Sequence, residues 1–236
     1  LLNKPDVKII TLEDPVEYKM PGINQSQIDR SRDYTFAKGL RSLMRQDPDI
    51  AMVGEIRDLE TAEIAIQAAL TGHLILSTIH TNDAFGAIPR FLSIGVKPFL
   101  LSPSLNCVIG QRLVRKLCAS CKQPVTPDAS LQEKITHALE TLPTQEKESL
   151  NGKDLVFYTA LGCESCNHIG YKGRIGIYEI FVVEKQVEEA ILAGNVGESA
   201  IRDIAVGHGT VTMVQDGLLK ALDGITSIDE VFRVVE

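Results

Sequence analysis

Val7-Lys8-Ile9-Ile10-Thr11-Leu12-Glu13-Asp14-Pro15 is the stretch whose reading decides the fold. Its apolar, β-branched run has the length of a strand, and it stops abruptly at two carboxylates and a proline that bars a helix from starting earlier. Working outward, Phe36, Leu40, Leu43 and Met44 recur at helical spacing, with Lys38, Arg41 and Arg45 on the other face and Pro48 beyond. Ile50-Ala51-Met52-Val53 is a second strand, ended by Gly54-Glu55, and Asp58 is placed to cap a helix from Leu59 to Leu70. Thr71-Gly72 closes that helix, Leu74 to Ile79 form a third strand, and His80-Thr81-Asn82-Asp83 precede another helix. Strands alternating with helices predict an α/β fold with a parallel sheet. Strands of such a sheet point one way, so Glu13, Asp14, Glu55 and His80 are expected together at its carboxyl edge, where open α/β sheets bind ligands. Taken singly, each of these residues reads equally well as a helix cap or a solvated loop residue.

Composition bounds the rest. The chain has 236 residues, room for one large or two small domains. Its 44% hydrophobic and 23% charged residues match a folded globular protein, not a disordered or collagen-like one. Lys plus Arg number 24 against 31 Asp plus Glu, a net charge of −7, which argues against a general nucleic-acid binder. No apolar run approaches the roughly 18 residues of a membrane-spanning helix, and no signal segment opens the chain, so a cytoplasmic site is expected. Leu1-Leu2-Asn3-Lys4-Pro5 reads as the tail of a helix stopped by proline, so the chain is expected to be a fragment.

Five cysteines, an odd number without an export signal, favour metal binding over disulfides. Cys118-Ala119-Ser120-Cys121 and Cys163-Glu164-Ser165-Cys166 are two C-x-x-C knuckles that together offer four thiolates to one Zn²⁺. Four thiolates leave no open coordination position, so the zinc is structural. The polar segment from Thr126 to Lys153 between the knuckles is expected to project as an insertion. Cys107 reads as a small buried hydrophobe. His168 is an alternative ligand beside the second knuckle, and His208 reads as a turn residue between two glycines.

Four stretches in order, Ile10 to Tyr18, Leu40 to Asp49, Val53 to Asp58 and Thr71 to Asp83, resemble the aspartate box, arginine-bearing helix, Walker B segment and histidine box of the type II secretion and type IV pilus assembly ATPases. Gly170 to Glu179 is similar to that family's glycine-rich strand after its tetracysteine motif, and the likeness runs from about Leu2 to Glu236. The resemblance implies a RecA-like P-loop NTPase core with a zinc-binding subdomain and a small C-terminal helical domain, divided here as 1–115, 116–178 and 179–236. It implies a homo-hexameric motor that hydrolyses ATP with Mg²⁺ at subunit interfaces. Such a motor lies peripherally on the cytoplasmic face of the inner membrane, with an inner-membrane platform and cytoplasmic adaptor proteins as partners and no nucleic acid. By resemblance Glu55 acts on Mg²⁺ or its water shell, Glu13 orients or activates the attacking water, and His80 contacts the γ-phosphate. Which glutamate is the base stays open. Asp14, Arg41, Arg45 and Arg57 are by resemblance nucleotide-binding, although Arg41 and Arg45, one turn apart, suit a solvated face or salt bridges equally well. The tetracysteine motif implies an assembly or secretion motor, because retraction motors lack it.

The chain departs from that pattern in lacking Gly-x-x-x-x-Gly-Lys-Ser/Thr, the loop that cradles phosphates; Gly152-Lys153 has none of its other elements. Truncation just downstream of that loop is the expected cause, which leaves the fragment inactive alone. Pro89 should kink or shorten its helix, and Pro103 fits a helix first turn after Ser102. Ser227-Ile228-Asp229-Glu230 is a capping-box sequence. A non-catalytic zinc-knuckle binding module is the rival from another class, and a metal-dependent hydrolase a third reading without convincing ligands.

Overall fold

The computed structural model describes residues 1–150 and 155–235. Lys153 and the Gly152-Lys153 pair noted above lie outside the described residues. The packing divides the chain into two compact units, one of residues 1–82, 86–106 and 184–198 and another of residues 83–85, 107–183 and 199–236.

In the first unit, β1 (Ile9–Glu13), β2 (Asn24–Gln27), β3 (Ile50–Val53) and β4 (Leu74–Ser77) form one sheet in the order β2-β1-β3-β4, with every pair parallel. All five residues of β1 are buried, so the central strand has no alternation to reveal its faces. The helix α1 (Phe36–Met44) buries Phe36, Leu40 and Leu43 after an N-cap at Thr35, and α2 (Leu59–Leu70) starts on Asp58, whose carboxylate accepts from Thr61 N at 2.8 Å. β4 ends at Ser77, two residues earlier than expected, and its side chains are largely exposed because it lies at the sheet edge. Strand β2 has no counterpart in the sequence reading: Asn-Gln-Ser-Gln carries no apolar pattern.

Several expectations need correction. Leu1 to Lys4 form no helix among the described residues; Asn3 instead donates from its amide to the Pro21 carbonyl at 2.9 Å. Pro89 does not kink its helix, because α3 (Ala87–Ser93) begins late enough to hold it in the first turn, where no amide is missed. At α4 (Pro98–Leu101) the first-turn proline is Pro98, and Pro103 follows the helix end.

The second unit is built on a long antiparallel pair, β5 (Cys107–Leu117) and β8 (Tyr171–Val182), with a smaller pair, β6 (Lys122–Val125) and β7 (Phe157–Ala160). Between β6 and β7, α5 (Ala129–Glu140) and α6 (Thr144–Leu150) occupy the segment expected to project. Instead α5 packs inward: Ile135 joins Phe157, Leu218, Ala221, Ile228 and Phe232 in one apolar cluster. Gln215 ties it further, donating to the Ala138 carbonyl at 2.8 Å. Helices α7 (Lys185–Ala193), α8 (Glu198–Gly207), α9 (Met213–Leu222) and α10 (Ile228–Val235) complete the chain.

Only half of the expected capping box forms at α10. Glu230 N donates to Ser227 Oγ at 3.3 Å, but the Glu230 carboxylate is taken by Arg115 and Arg233. Cys107 is exposed, not buried, since it stands on the outward face of β5 opposite Val182.

Candidate functional site

The carboxyl edge of the parallel sheet gathers the expected residues by continuing the strand ladders past their ends. Gly54 N donates to the Leu12 carbonyl at 2.7 Å, and Ile56 N to the Thr78 carbonyl at 2.9 Å. Thr78 Oγ1 donates to the Gly54 carbonyl at 2.7 Å. These bonds hold the residues after β1, β3 and β4 side by side. Gly54 suits this close approach: a Cβ there would sit 3.1 Å from the Leu12 carbonyl oxygen, a tight contact, and 3.5 Å from Glu13 Cα.

Glu55 stands at the centre of this edge. Its Oε2 takes Arg57 Nε at 2.6 Å and His80 Nε2 at 3.2 Å. Both contacts fall on Oε2, and Oε1 takes no bond among the described residues. Glu13 is buried, and its Oε1 accepts from Thr11 Oγ1 at 2.5 Å and Gln25 Nε2 at 2.9 Å. Asp14 is more exposed and pairs with Arg30 at 3.4 Å. The structure thus joins Glu55, Arg57 and His80 directly and places Glu13 and Asp14 at the end of the neighbouring strand. It does not bring Arg41 to them: Arg41 pairs with Glu60 on α2 at 2.9 Å, the salt-bridge alternative. With both side chains more than half exposed, such a pair is weak and exchangeable. Arg45 is exposed at the C-cap of α1. Thr11, Gln25 and Arg30 were missed by sequence reasoning; the polar strand β2 left no signal for Gln25.

The cysteine knuckles are a separate site in the second unit. Sγ atoms of Cys118, Cys121, Cys163 and Cys166 all lie within 4.8 Å of one another. Cys118 to Cys163 and Cys121 to Cys166 are each 3.9 Å, and Cys163 to Cys166 is 3.8 Å. A tetrahedron with Zn–S bonds of about 2.3 Å has edges of about 3.8 Å, so the four sulfurs fit zinc, whereas a disulfide needs about 2 Å. His168 is not among them; it lies in the left-handed region at φ 60°, beside Asn167 at φ 51°. Gly162 is required in that turn, where a Cβ would meet the His168 carbonyl oxygen at 2.5 Å. Amides turn toward the sulfur of Cys166, from Cys163 at 3.2 Å and Gly170 at 3.3 Å. The Ser165 hydroxyl draws the Cys118 thiol down to about 6, while burial pushes Cys121 up to about 12. A cation among the sulfurs resolves that conflict by favouring all four thiolates.

Comparison with known proteins agrees with this geometry. The family model described as "Type II/IV secretion system protein" matches residues 1–233. A type II secretion system protein E of Aeromonas hydrophila is 48% identical over 235 residues, covering 99% of this chain and 44% of that relative. The type IV pilus assembly ATPase PilB of Thermus thermophilus is 49% identical over 233 residues, covering 98% of this chain and 25% of that relative. The chain therefore spans less than half the length of these relatives. A crystal structure of the pilus retraction motor PilT with bound ADP aligns with a TM-score of 0.62 at 25% identity, covering 96% of this chain and 52% of that one. The parallel sheet with flanking helices is the RecA-like core of these ATPases.

Proposed function

From this chain's membership of the type II/IV secretion system protein family, we propose that it is the catalytic-edge and metal-knuckle portion of a motor ATPase that couples ATP hydrolysis to secretion or pilus assembly. The observation that carries this reading is the Glu55, Arg57 and His80 cluster beside Glu13 at the strand ends. The setting we infer from the sequence resemblance is a homo-hexamer on the cytoplasmic face of the inner membrane, bound peripherally through platform and adaptor proteins. Residues 1–115 supply the carboxylate edge, 116–178 the zinc site and 179–236 the helical region.

Phosphoryl transfer needs positioning and charge neutralisation more than covalent help. Mg²⁺ would supply neutralisation of the developing phosphate charge. Glu55 fits as its holder, directly or through water, with Oε1 turned away from the Arg57 and His80 contacts. The second carboxylate, Glu13, is fixed at the adjacent strand end and suits the orientation of attacking water. His80, anchored on Glu55 and otherwise exposed, and Arg57, on the same carboxylate, are the groups available to the γ-phosphate. Asp14, Arg41 and Arg45 are assigned to the nucleotide interface, Arg41 by exchanging its exposed pair with Glu60. The four cysteines hold one structural Zn²⁺.

The test is Glu55→Gln in the full-length protein. Turnover should fall at least about a hundredfold with nucleotide binding kept, because the lost charge acts in the transition state. Wild-type turnover in that variant removes Glu55 from its role.

A further inference from the structure

Glu13 is held by two side chains that no part of the reading above uses. Thr11 and Glu13 lie two residues apart on β1 and so share one face of the sheet. On the neighbouring strand Gln25 pairs in register with Thr11, which places its long side chain diagonal to Glu13 and within reach of it. All three meet at one oxygen: Glu13 Oε1 accepts from Thr11 Oγ1 at 2.5 Å and from Gln25 Nε2 at 2.9 Å.

Gln25 is itself fixed. Its Nε2 also donates to the Tyr18 carbonyl at 2.9 Å, and its Oε1 accepts from Met20 N at 2.7 Å. Both amide hydrogens and the amide oxygen are used, so a flipped amide would oppose acceptor to acceptor and donor to donor. The amide orientation is therefore set by the network, and the loop after Pro15 is locked to the same residue.

We infer that Thr11 and Gln25 are positioning residues for Glu13: by occupying Oε1 they leave Oε2, which takes no bond among the described residues, as the one oxygen presented for a water. This rests on the assignment of Glu13 to the attacking water. A carboxylate free to rotate would offer either oxygen in many directions, and misplacement of about 1 Å at a reacting centre can cost about a hundredfold. The pair therefore contributes to turnover and not to nucleotide affinity.

The test measures kcat and KM for ATP in the full-length protein. Thr11→Val, which keeps the strand shape but loses the hydroxyl, and Gln25→Ala should each lower kcat about tenfold, with KM changed by less than about twofold. Thr11→Ser should keep wild-type kcat. In a Glu13→Gln background, adding Gln25→Ala should lower kcat no further, since Gln25 acts through Glu13. Thr11→Val is near-isosteric, so the result does not depend on Gln25→Ala folding. Wild-type kcat in Thr11→Val, or a full additional tenfold loss in the double variant, overturns the proposal while leaving the Glu13 assignment intact. Wild-type turnover in Glu13→Gln overturns both the assignment and the positioning role.

Discussion

Glu230 and Glu179 are both buried carboxylates, yet their pKa values shift in opposite directions because hydrogen bonding wins at one and burial at the other. Burial works to raise Glu230, but hydrogen bonds from Arg233 and Arg115 outweigh it and hold the carboxyl at about 2. At Glu179 burial wins: it raises the carboxyl despite hydrogen bonds from the backbone amides of Ala84 at 2.9 Å and Met213 at 3.2 Å. Glu230 thus contributes stability that is whole above the ordinary carboxylate pKa and is lost as pH falls from about 4.5 toward 2. Glu230→Gln should cost about 2 to 3 kcal/mol at pH 7 by weakening the charged hydrogen bonds from Arg115 and Arg233, and thermal melts of the two proteins should converge as pH falls through that window. If the four cysteines hold zinc as proposed, the protein purified without added zinc should contain about one Zn²⁺ per chain and Cys163→Ser should contain none, read by metal analysis; full metal content in the variant excludes Cys163 as a ligand. At this scale the sequence was informative where chemistry depends on spacing, as in the two knuckles. It was silent where chemistry depends on a neighbouring strand, as for Gln25, whose partner Glu13 is 12 residues away.

Among the elements, β1, β3, α1 and α2 were legible because burial had shaped their apolar pattern, and Asp58 marked its helix start to the residue. β2 was illegible because its residues pair through the backbone and bury little. β4 misled in a different way: Leu74-Ile75-Leu76 reads as a buried strand, yet Leu74 is 43% and Leu76 42% exposed. An apolar strand at the edge of a parallel sheet presents unpaired amides and carbonyls to other chains. Residues 1–236 by themselves should therefore self-associate with rising concentration, and Leu76→Lys should suppress this, as read by light scattering. Equal scattering by the variant removes β4 as the contact. The same outward alternation explains Cys107, whose strand neighbour Ile109 is also exposed.

For the molecule as a whole, the proposed phosphate edge and the proposed metal site belong to different units and should respond separately. Chelation of zinc should speed amide exchange in the turns around Cys118 to Cys121 and Cys163 to Gly170, while β1, β3 and α2 keep their protection; loss of protection in both places contradicts that independence. Mg-ATP titrated into residues 1–236 should give little heat, because this stretch has no amide cradle and its carboxylates repel triphosphate. Tight binding contradicts that expectation. The two units also interleave along the sequence, the chain passing from one to the other after residues 82, 85, 106, 183 and 198. A ribosome therefore cannot complete either unit from one continuous segment. The four-stranded sheet is synthesised by Ser77, but its unit waits for α7, more than a hundred residues later, and the β5 strand waits for β8. Each unit is completed only by segments made after much of the other, so β5 leaves the ribosome before its β8 partner exists and stays unpaired over that interval.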